Sequence, residues 1–245
     1  MPSSFTAGLD GVTFTSGGAR LLGGLYTGAG DTPRPTAVLI HGLPGIEKHL
    51  DIAYALRDRG WNCLYFHPRG CWGSEGTYSL DHLTDDTQAA VDWLRRQPPV
   101  DGDRIALLGG STGSHPAILC GAADARVAAI VGISPVVDPR AFRFPPSMAA
   151  TFAGMLSGAT AEGLVAQWER LPLLWDAVGA FAPRPVLLVA AGQDDIFPAK
   201  DYIHALAGHR HIRVVEREDS DHAFSACRPW LVTTVCDWLV DTVGT

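Results

Sequence analysis

Short apolar runs, bounded by Gly, Pro and polar clusters, alternate along the chain with longer stretches in which apolar residues recur every third or fourth position. A continuous short run suits a strand buried on both faces, and the wider spacing suits a helix with one buried stripe. Strands are expected at 12–15, 19–26, 37–40, 62–66, 104–108, 127–133, 186–190 and 212–215, the first two joined as an antiparallel hairpin through Ser16-Gly17-Gly18. Helices are expected at 47–59, where Ile52, Ala55 and Leu56 share a face, at 83–96, with Ala90, Val91 and Leu94, and at 112–123, 200–206 and 228–240. This alternation predicts an α/β fold with a mostly parallel eight-stranded sheet flanked by helices. The rhythm breaks at about 135–183, a stretch punctuated by Pro135, Pro139, Pro145, Pro146 and Pro183 with apolar helical patches at 147–156 and 161–171. A connection of that length inside a compact domain is usually functional. It is expected as a small helical cap inserted after strand 6 of a single domain spanning 1–245.

Composition narrows the classes of function. The 245 residues suit one α/β domain, and 47% apolar against 18% charged residues is the balance of a chain that buries a core. With 19 Lys+Arg against 26 Asp+Glu the formal charge is −7, and the chain has no basic run. Nucleic acid is therefore not an expected partner. No uninterrupted apolar stretch reaches the roughly 18 residues of a membrane span. The first ten residues carry neither a basic segment nor an apolar one, so no secretory signal is read and a cytoplasmic location is the expectation. Five cysteines, Cys63, Cys71, Cys120, Cys227 and Cys236, have no CxxC spacing and read as small buried hydrophobes, Cys71 in a Gly-rich loop included. No H-E-x-x-H occurs, and His209-Arg210-His211 reads as a polar loop, so no metal site is expected.

The chemistry concentrates where the fifth expected strand runs into Gly109-Gly110-Ser111-Thr112-Gly113, a G-x-S-x-G pattern opening a helix. In such an elbow the turn is too tight for side chains at the flanking positions, and the serine is held out above the sheet. The first-turn amides of the following helix point to where negative charge would develop, and Pro116 in that first turn costs no helical hydrogen bond. A serine hydroxyl needs a base, and the base needs a carboxylate to hold its tautomer. His222, in Asp219-Ser220-Asp221-His222-Ala223-Phe224 after the last strand, has the loop placement for the base; the other histidines read as core or surface residues. For the acid, the strand at 186–190 leads into Gly192-Gln193-Asp194-Asp195. Asp195, three residues after Gly192, is the first choice, with Asp194 and Asp138 as alternatives.

The order Ser111, Asp195, His222, with the elbow and the loop placement, resembles the α/β-hydrolase superfamily over nearly the whole chain. His41-Gly42-Leu43-Pro44-Gly45 resembles its HG-x-x-G oxyanion loop, which implies that the backbone N–H groups of Leu43 and Thr112 bind the oxyanion. Phe66-His67-Pro68-Arg69-Gly70-Cys71-Trp72-Gly73-Ser74-Glu75-Gly76 resembles the D-x-R-G-x-G-x-S-x-G loop of small serine esterases and acylaminoacyl-peptidase-like members, with His67 for the frequent Asp and Trp72 as an added ring. Arg69 is expected in a structural salt bridge. The HG-x-x-G loop and the cap after strand 6 are similar to small feruloyl esterases, although Leu43-Pro44 stands where those commonly carry Phe-Thr. Within the superfamily, Ser111 in place of the aspartate of haloalkane dehalogenases or the cysteine of dienelactone hydrolases implies acyl transfer through a serine ester without a cofactor.

The cap gathers Phe142, Phe144, Met148, Phe152, Met155, Leu156, Trp168 and Trp175. An apolar cap face both seats on the core and lines a pocket. The expected substrate is a small-molecule carboxylic ester with small to medium apolar or aromatic groups. Its expected contacts are Trp72, Phe144, Met148, Phe152, Trp168 and Trp175. A short-peptide acylaminoacyl peptidase or amidase and an acyltransferase use the same triad and stay open as alternatives, as does a ligand-binding fold without turnover.

Overall fold

The computed structural model describes residues 5–200, 202, 206 and 208–245. Eight strands form one sheet: β1 (Gly8–Ser16), β2 (Ala19–Thr27), β3 (Arg34–Ile40), β4 (Asn62–His67), β5 (Val100–Gly110), β6 (Val127–Ile133), β7 (Val186–Ala191) and β8 (Ile212–Arg217), in the order β1-β2-β4-β3-β5-β6-β7-β8. β1 pairs antiparallel with β2 and β2 antiparallel with β4; every pairing from β4 to β8 is parallel.

The central strands β3, β5, β6 and β7 carry buried apolar residues on both faces because both faces are covered. Val38 and Ile40 of β3, Ile105 and Leu107 of β5 and Leu188 and Ala190 of β7 point to one face. There they meet α2 (Leu83–Leu94), α3 (Ser114–Ala123) and α6 (Trp175–Ala180) through Val91, Ile118 and Val178. Their neighbours Ala37, Leu39, Ala106, Leu108, Leu187 and Val189 point the other way, onto Ile52 and Leu56 of α1 (Leu50–Asp58) and Leu231, Val235 and Leu239 of α7 (Arg228–Val243). A side-chain period of two divides each strand between two cores.

Between β6 and β7 the chain forms a 3-10 turn (Pro139–Ala141), α4 (Pro146–Ala153), α5 (Ala161–Arg170) and α6. Phe144, Ala149, Leu156, Leu164 and Trp168 build a third apolar cluster with Cys71, Tyr78, Leu80 and Phe197, apart from the two sheet cores. Thr160 caps α5 by accepting from the Gly163 N–H at 3.0 Å. Trp168 Nε1 donates to the carbonyls of Pro139 (2.9 Å) and Phe142 (3.0 Å), and Gln167 Oε1 accepts from the Leu80 N–H at 2.9 Å. These bonds tie the inserted helices to each other and to the loop after β4.

That loop is itself pinned. Arg69 donates its backbone N–H (2.9 Å) and Nε (2.7 Å) to Asp86, a carboxylate with no exposed surface. Arg69 thus has a structural partner. Ser74 Oγ donates to the His67 carbonyl at 2.7 Å and accepts from the Leu22 N–H at 2.9 Å.

Local departures from the sequence pattern have physical causes. The helix expected at 47–59 begins at Leu50 because His49 adopts a left-handed conformation, φ 55°. The helix expected at 112–123 resolves into a 3-10 turn (Ser111–Gly113) followed by α3. α6 has no counterpart among the expected helices: its six residues are under two turns, too few for a helical period to show. The helix expected at 200–206 falls largely outside the described residues. Among the described residues, no helix is long and apolar enough to cross a membrane.

Candidate active site

After β3 the chain crosses to β4 on one side, and β5 then pairs with β3 on the other. Carboxyl ends of strands at such a reversal diverge and leave a crevice. The His41–Gly45 segment leaves β3 here, Ser111 leaves β5, and the Asp194 and His222 loops follow β7 and β8.

Ser111 sits at φ 50°, a left-handed conformation uncommon for a residue with a Cβ. The backbone around it is packed to contact. A Cβ at Gly109 would collide with the Gly113 carbonyl oxygen, and one at Gly113 would collide with the Ile40 carbonyl oxygen. Glycine is therefore required on both sides of the serine. Buried Ser114 donates from Oγ to the Ser111 carbonyl at 2.6 Å and accepts from the Val136 N–H at 2.9 Å. The elbow is thereby joined to the start of the inserted segment.

The Gly42–Leu43 peptide is oriented by His41, whose Nδ1 lies 3.0 Å from the Gly42 carbonyl oxygen. In a planar trans peptide the N–H points opposite to the C=O. Fixing the Gly42 carbonyl therefore turns the Leu43 N–H the other way. Gly42 packs against the serine closely enough that a Cβ on it would lie 2.9 Å from Ser111 Cβ. His67 Nδ1 stands 3.4 Å from His41 Nε2, behind the loop.

His222 Nδ1 lies 2.7 Å from Asp194 Oδ2. Asp194 is 5% exposed, and its Oδ1 accepts from the N–H groups of Ile196 and Phe197, each at 2.9 Å. The partner of the imidazole is thus Asp194; the choice of Asp195 is corrected. The turn closes one residue earlier than counting from Gly192 implies, because the Asp194 N–H returns to the Ala191 carbonyl at 3.3 Å. The first carboxylate faces inward. Asp195 is exposed and enters no hydrogen bond found among the described residues. Asp138, the other alternative, pairs with Arg140 at 3.0 Å and caps the 3-10 turn. Sequence reasoning also missed Ser134, at φ 43°, whose Oγ donates to the His222 carbonyl at 2.8 Å. A lone serine at a strand end carries no signal of that contact.

Ser111, Thr112, Leu43 and His222 border one cavity of about 290 Å³, together with Phe142, Phe144, Met148, Phe152 and Trp168 from the inserted segment and Ile196 and Phe197 from the Asp194 loop. Four of the six expected substrate contacts line it. Trp72 and Trp175 do not, and both expectations are corrected. Trp72 is 45% exposed, donates from Nε1 to the Pro44 carbonyl at 2.8 Å and lies under Lys48 Nζ, 4.7 Å from the ring centroid. Trp175 packs against the sheet core from α6. Cys71 is fully buried, and burial pushes its thiol up to about 12, so it behaves as a core residue.

Three histidines around this site are held neutral. Burial lowers His41 to about 4 and His49 to about 4, and burial with the neighbouring His41 lowers His67 to about 3. Each titrates near 6.5 once unfolded. Below that pH the unfolded chain binds protons that the folded chain refuses, so stability is fully present above about pH 6.5. It falls as the pH drops toward 4, by up to about 1.4 kcal/mol per pH unit for each histidine. Urea denaturation midpoints should therefore decline steadily from pH 7 to 5; equal midpoints across that range would contradict the burial.

Strand order, elbow and loop placement define an α/β-hydrolase. The chain belongs to the family described as X-Pro dipeptidyl-peptidase (S15 family), whose model matches residues 26–209. It is similar to the uncharacterized protein YfhR of Salmonella typhimurium, 28% identical over 230 residues that cover 88% of this chain and 76% of that one. It is also similar to the uncharacterized protein MT2364 of Mycobacterium tuberculosis, 32% identical over 204 residues, covering 80% and 66%. Among solved structures, Est1E from Butyrivibrio proteoclasticus with ferulic acid bound shares the fold, with a TM-score of 0.77 at 19% identity, covering 96% of this chain and 100% of that one.

Proposed function

We propose that the protein is a serine hydrolase that cleaves carboxylic esters with small to medium apolar or aromatic groups through an acyl-enzyme. One observation carries the reading. A serine held left-handed in a glycine-flanked elbow shares an apolar cavity with a histidine whose Nδ1 is bound to a buried carboxylate.

In the first half-reaction Ser111 Oγ attacks the ester carbonyl while its proton passes to His222 Nε2, and Asp194 stabilises the imidazolium from Nδ1. The carbonyl oxygen becomes an oxyanion held by the Leu43 and Thr112 N–H groups. The carbonyl re-forms, the C–O bond to the alcohol breaks, and His222 returns its proton to the departing oxygen. Water then attacks the acyl-serine with His222 taking its proton. The carboxylic acid departs and Ser111 regains its hydrogen.

The lining favours esters over X-Pro dipeptides. A free peptide N-terminus is held best by a carboxylate whose charge is not already offset by a neighbouring cation. Glu47 is the acid that borders the cavity among the described residues, and its Oε1 already accepts from the His49 N–H at 2.6 Å and lies 3.6 Å from Arg228. The bound ferulic acid of Est1E supports an aromatic acyl group. The test compares 4-nitrophenyl butyrate with butyryl-4-nitroanilide and Gly-Pro-4-nitroanilide. A kcat/KM for the ester at least about a hundredfold above both is expected, and cleavage of either anilide at a comparable rate would contradict the reading.

A further inference from the structure

The cavity contains a second imidazole that the triad does not use. His49 precedes α1, is 5% exposed and borders the cavity beside Ser111. Its ring lies over the residue before the serine: a Cβ at Gly110 would collide with His49 Nε2. Glycine at that position is what leaves room for the ring.

The other ring nitrogen fixes the tautomer. Arg228 Nη1 and Nη2 each lie 3.3 Å from His49 Nδ1. A guanidinium has donors and no acceptor, so the Nδ1 it faces carries the lone pair. The neutral ring therefore holds its hydrogen on Nε2. Arg228 is anchored in turn by Asp51, which accepts from Nε at 2.8 Å, and by the Ala223 carbonyl, 3.3 Å from Nη1. Glu47 Oε1 stands 3.8 Å from Nδ1, beyond hydrogen-bond reach, and is occupied by the His49 backbone N–H. Burial keeps the ring neutral, with the charges of Arg228 and His222 acting in the same direction against Glu47 and Asp51.

Nε2–H is thus a fixed donor at the cavity wall, without a protein acceptor among the hydrogen bonds of the described residues. A buried donor gains most from a ligand that supplies the missing acceptor. Its position is on the base's side of the site, because Arg228 ties it to Ala223, the residue after His222. In the mechanism above that is where the departing alcohol collects its proton, whereas the inserted segment contributes apolar rings.

We propose that His49 reads the leaving group: Nε2–H donates to an ether, hydroxyl or carbonyl oxygen on the alcohol half, so esters of oxygen-bearing alcohols are the preferred substrates. This specificity rests on the serine-ester reading and adds a substrate class to it.

The test uses two isosteric substrates, 2-methoxyethyl butyrate and n-butyl butyrate, with their alkaline hydrolysis rates giving the intrinsic reactivity ratio. The wild-type protein should prefer the methoxyethyl ester by about tenfold in kcat/KM beyond that ratio, the effect of one hydrogen bond. His49→Ala should bring the preference down to the intrinsic ratio, with the loss falling on the methoxyethyl ester. In nitrogen NMR of the wild-type protein, His49 should remain the neutral Nε2–H tautomer from pH 8 to 5.5. A wild-type ratio equal to the intrinsic one overturns the proposal even where the variant does not fold, as does an equal loss on both esters in His49→Ala. If a fluorophosphonate labels Ser111 and the two esters react alike, only the leaving-group inference fails. If Ser111 takes no label and neither ester is cleaved, the hydrolase reading has failed with it.

Discussion

Replacing Ser111 with alanine is expected to lower kcat for 4-nitrophenyl butyrate by at least about a thousandfold, because the hydroxyl that the elbow holds at the cavity beside His222 is then gone. The fold should survive. Ser111 Oγ enters no hydrogen bond found among the described residues, and the elbow is held instead by the Ser114 hydroxyl and by backbone contact at Gly109 and Gly113. Alanine tolerates φ 50° about as poorly as serine does, so the thermal midpoint should shift by no more than a few degrees. Loss of activity together with loss of folding would not fit this geometry. Circular dichroism melts run beside the kinetics separate the two.

Asp194→Asn should cost about a thousand- to ten-thousandfold in kcat/KM, while Asp195→Asn should change it by less than about twofold. The asymmetry follows from hydrogen-bond chemistry. An asparagine in place of Asp194 can keep the Oδ1 acceptor that Ile196 and Phe197 use, but the atom it turns toward His222 becomes an N–H₂ donor. His222 Nδ1 must then be the acceptor, its hydrogen moves to Nε2, and the ring can no longer take the proton of Ser111. Asp195 is exposed, and its side chain enters no hydrogen bond found among the described residues. Steady-state kinetics of the two variants on one ester decide the matter, and a large loss confined to Asp195→Asn would overturn the assignment.

What is legible in the sequence follows from burial and from glycine. Strands covered on both faces cannot hide their apolar runs, so β3 to β7 stand out, whereas β8 is a half-exposed edge strand and the hairpin of β1 and β2 is marked by Gly17-Gly18. The elbow is legible because only glycine fits against the backbone of Gly113 and Ile40. The choice between adjacent carboxylates is not. Asp194 and Asp195 have the same chemistry, and which one faces His222 depends on a turn closed by a single backbone bond. Aromatic residues are ambiguous for another reason. Trp168 and Trp175 both belong to the stretch read as an apolar cap, yet α5 turns one toward the cavity while α6 packs the other on the sheet. His49 gives no signal at all. Its tautomer is set by Arg228, 179 positions away in the chain, and its room by the absence of a side chain at Gly110.

The expected contribution of the inserted segment rests on the same distinction between packing and lining. Phe142, Phe144 and Trp168 stack edge-on or tilted, with centroids 5.5 to 6.0 Å apart, and so hold one another in fixed orientations at the cavity wall. Hydrogen bonds from Trp168 Nε1 to two carbonyls, one buried and one part-buried, secure that arrangement. A wall built this way selects by shape, whereas the donor on His49 selects by chemistry.

The most direct measurement is intact-mass and peptide mapping of the protein after exposure to a fluorophosphonate. A single adduct is expected on Ser111, one that Asp194→Asn slows and Ser111→Ala abolishes. An adduct on another residue, or an unmodified Ser111 in protein that is folded, would contradict the assignment of Ser111 as the nucleophile.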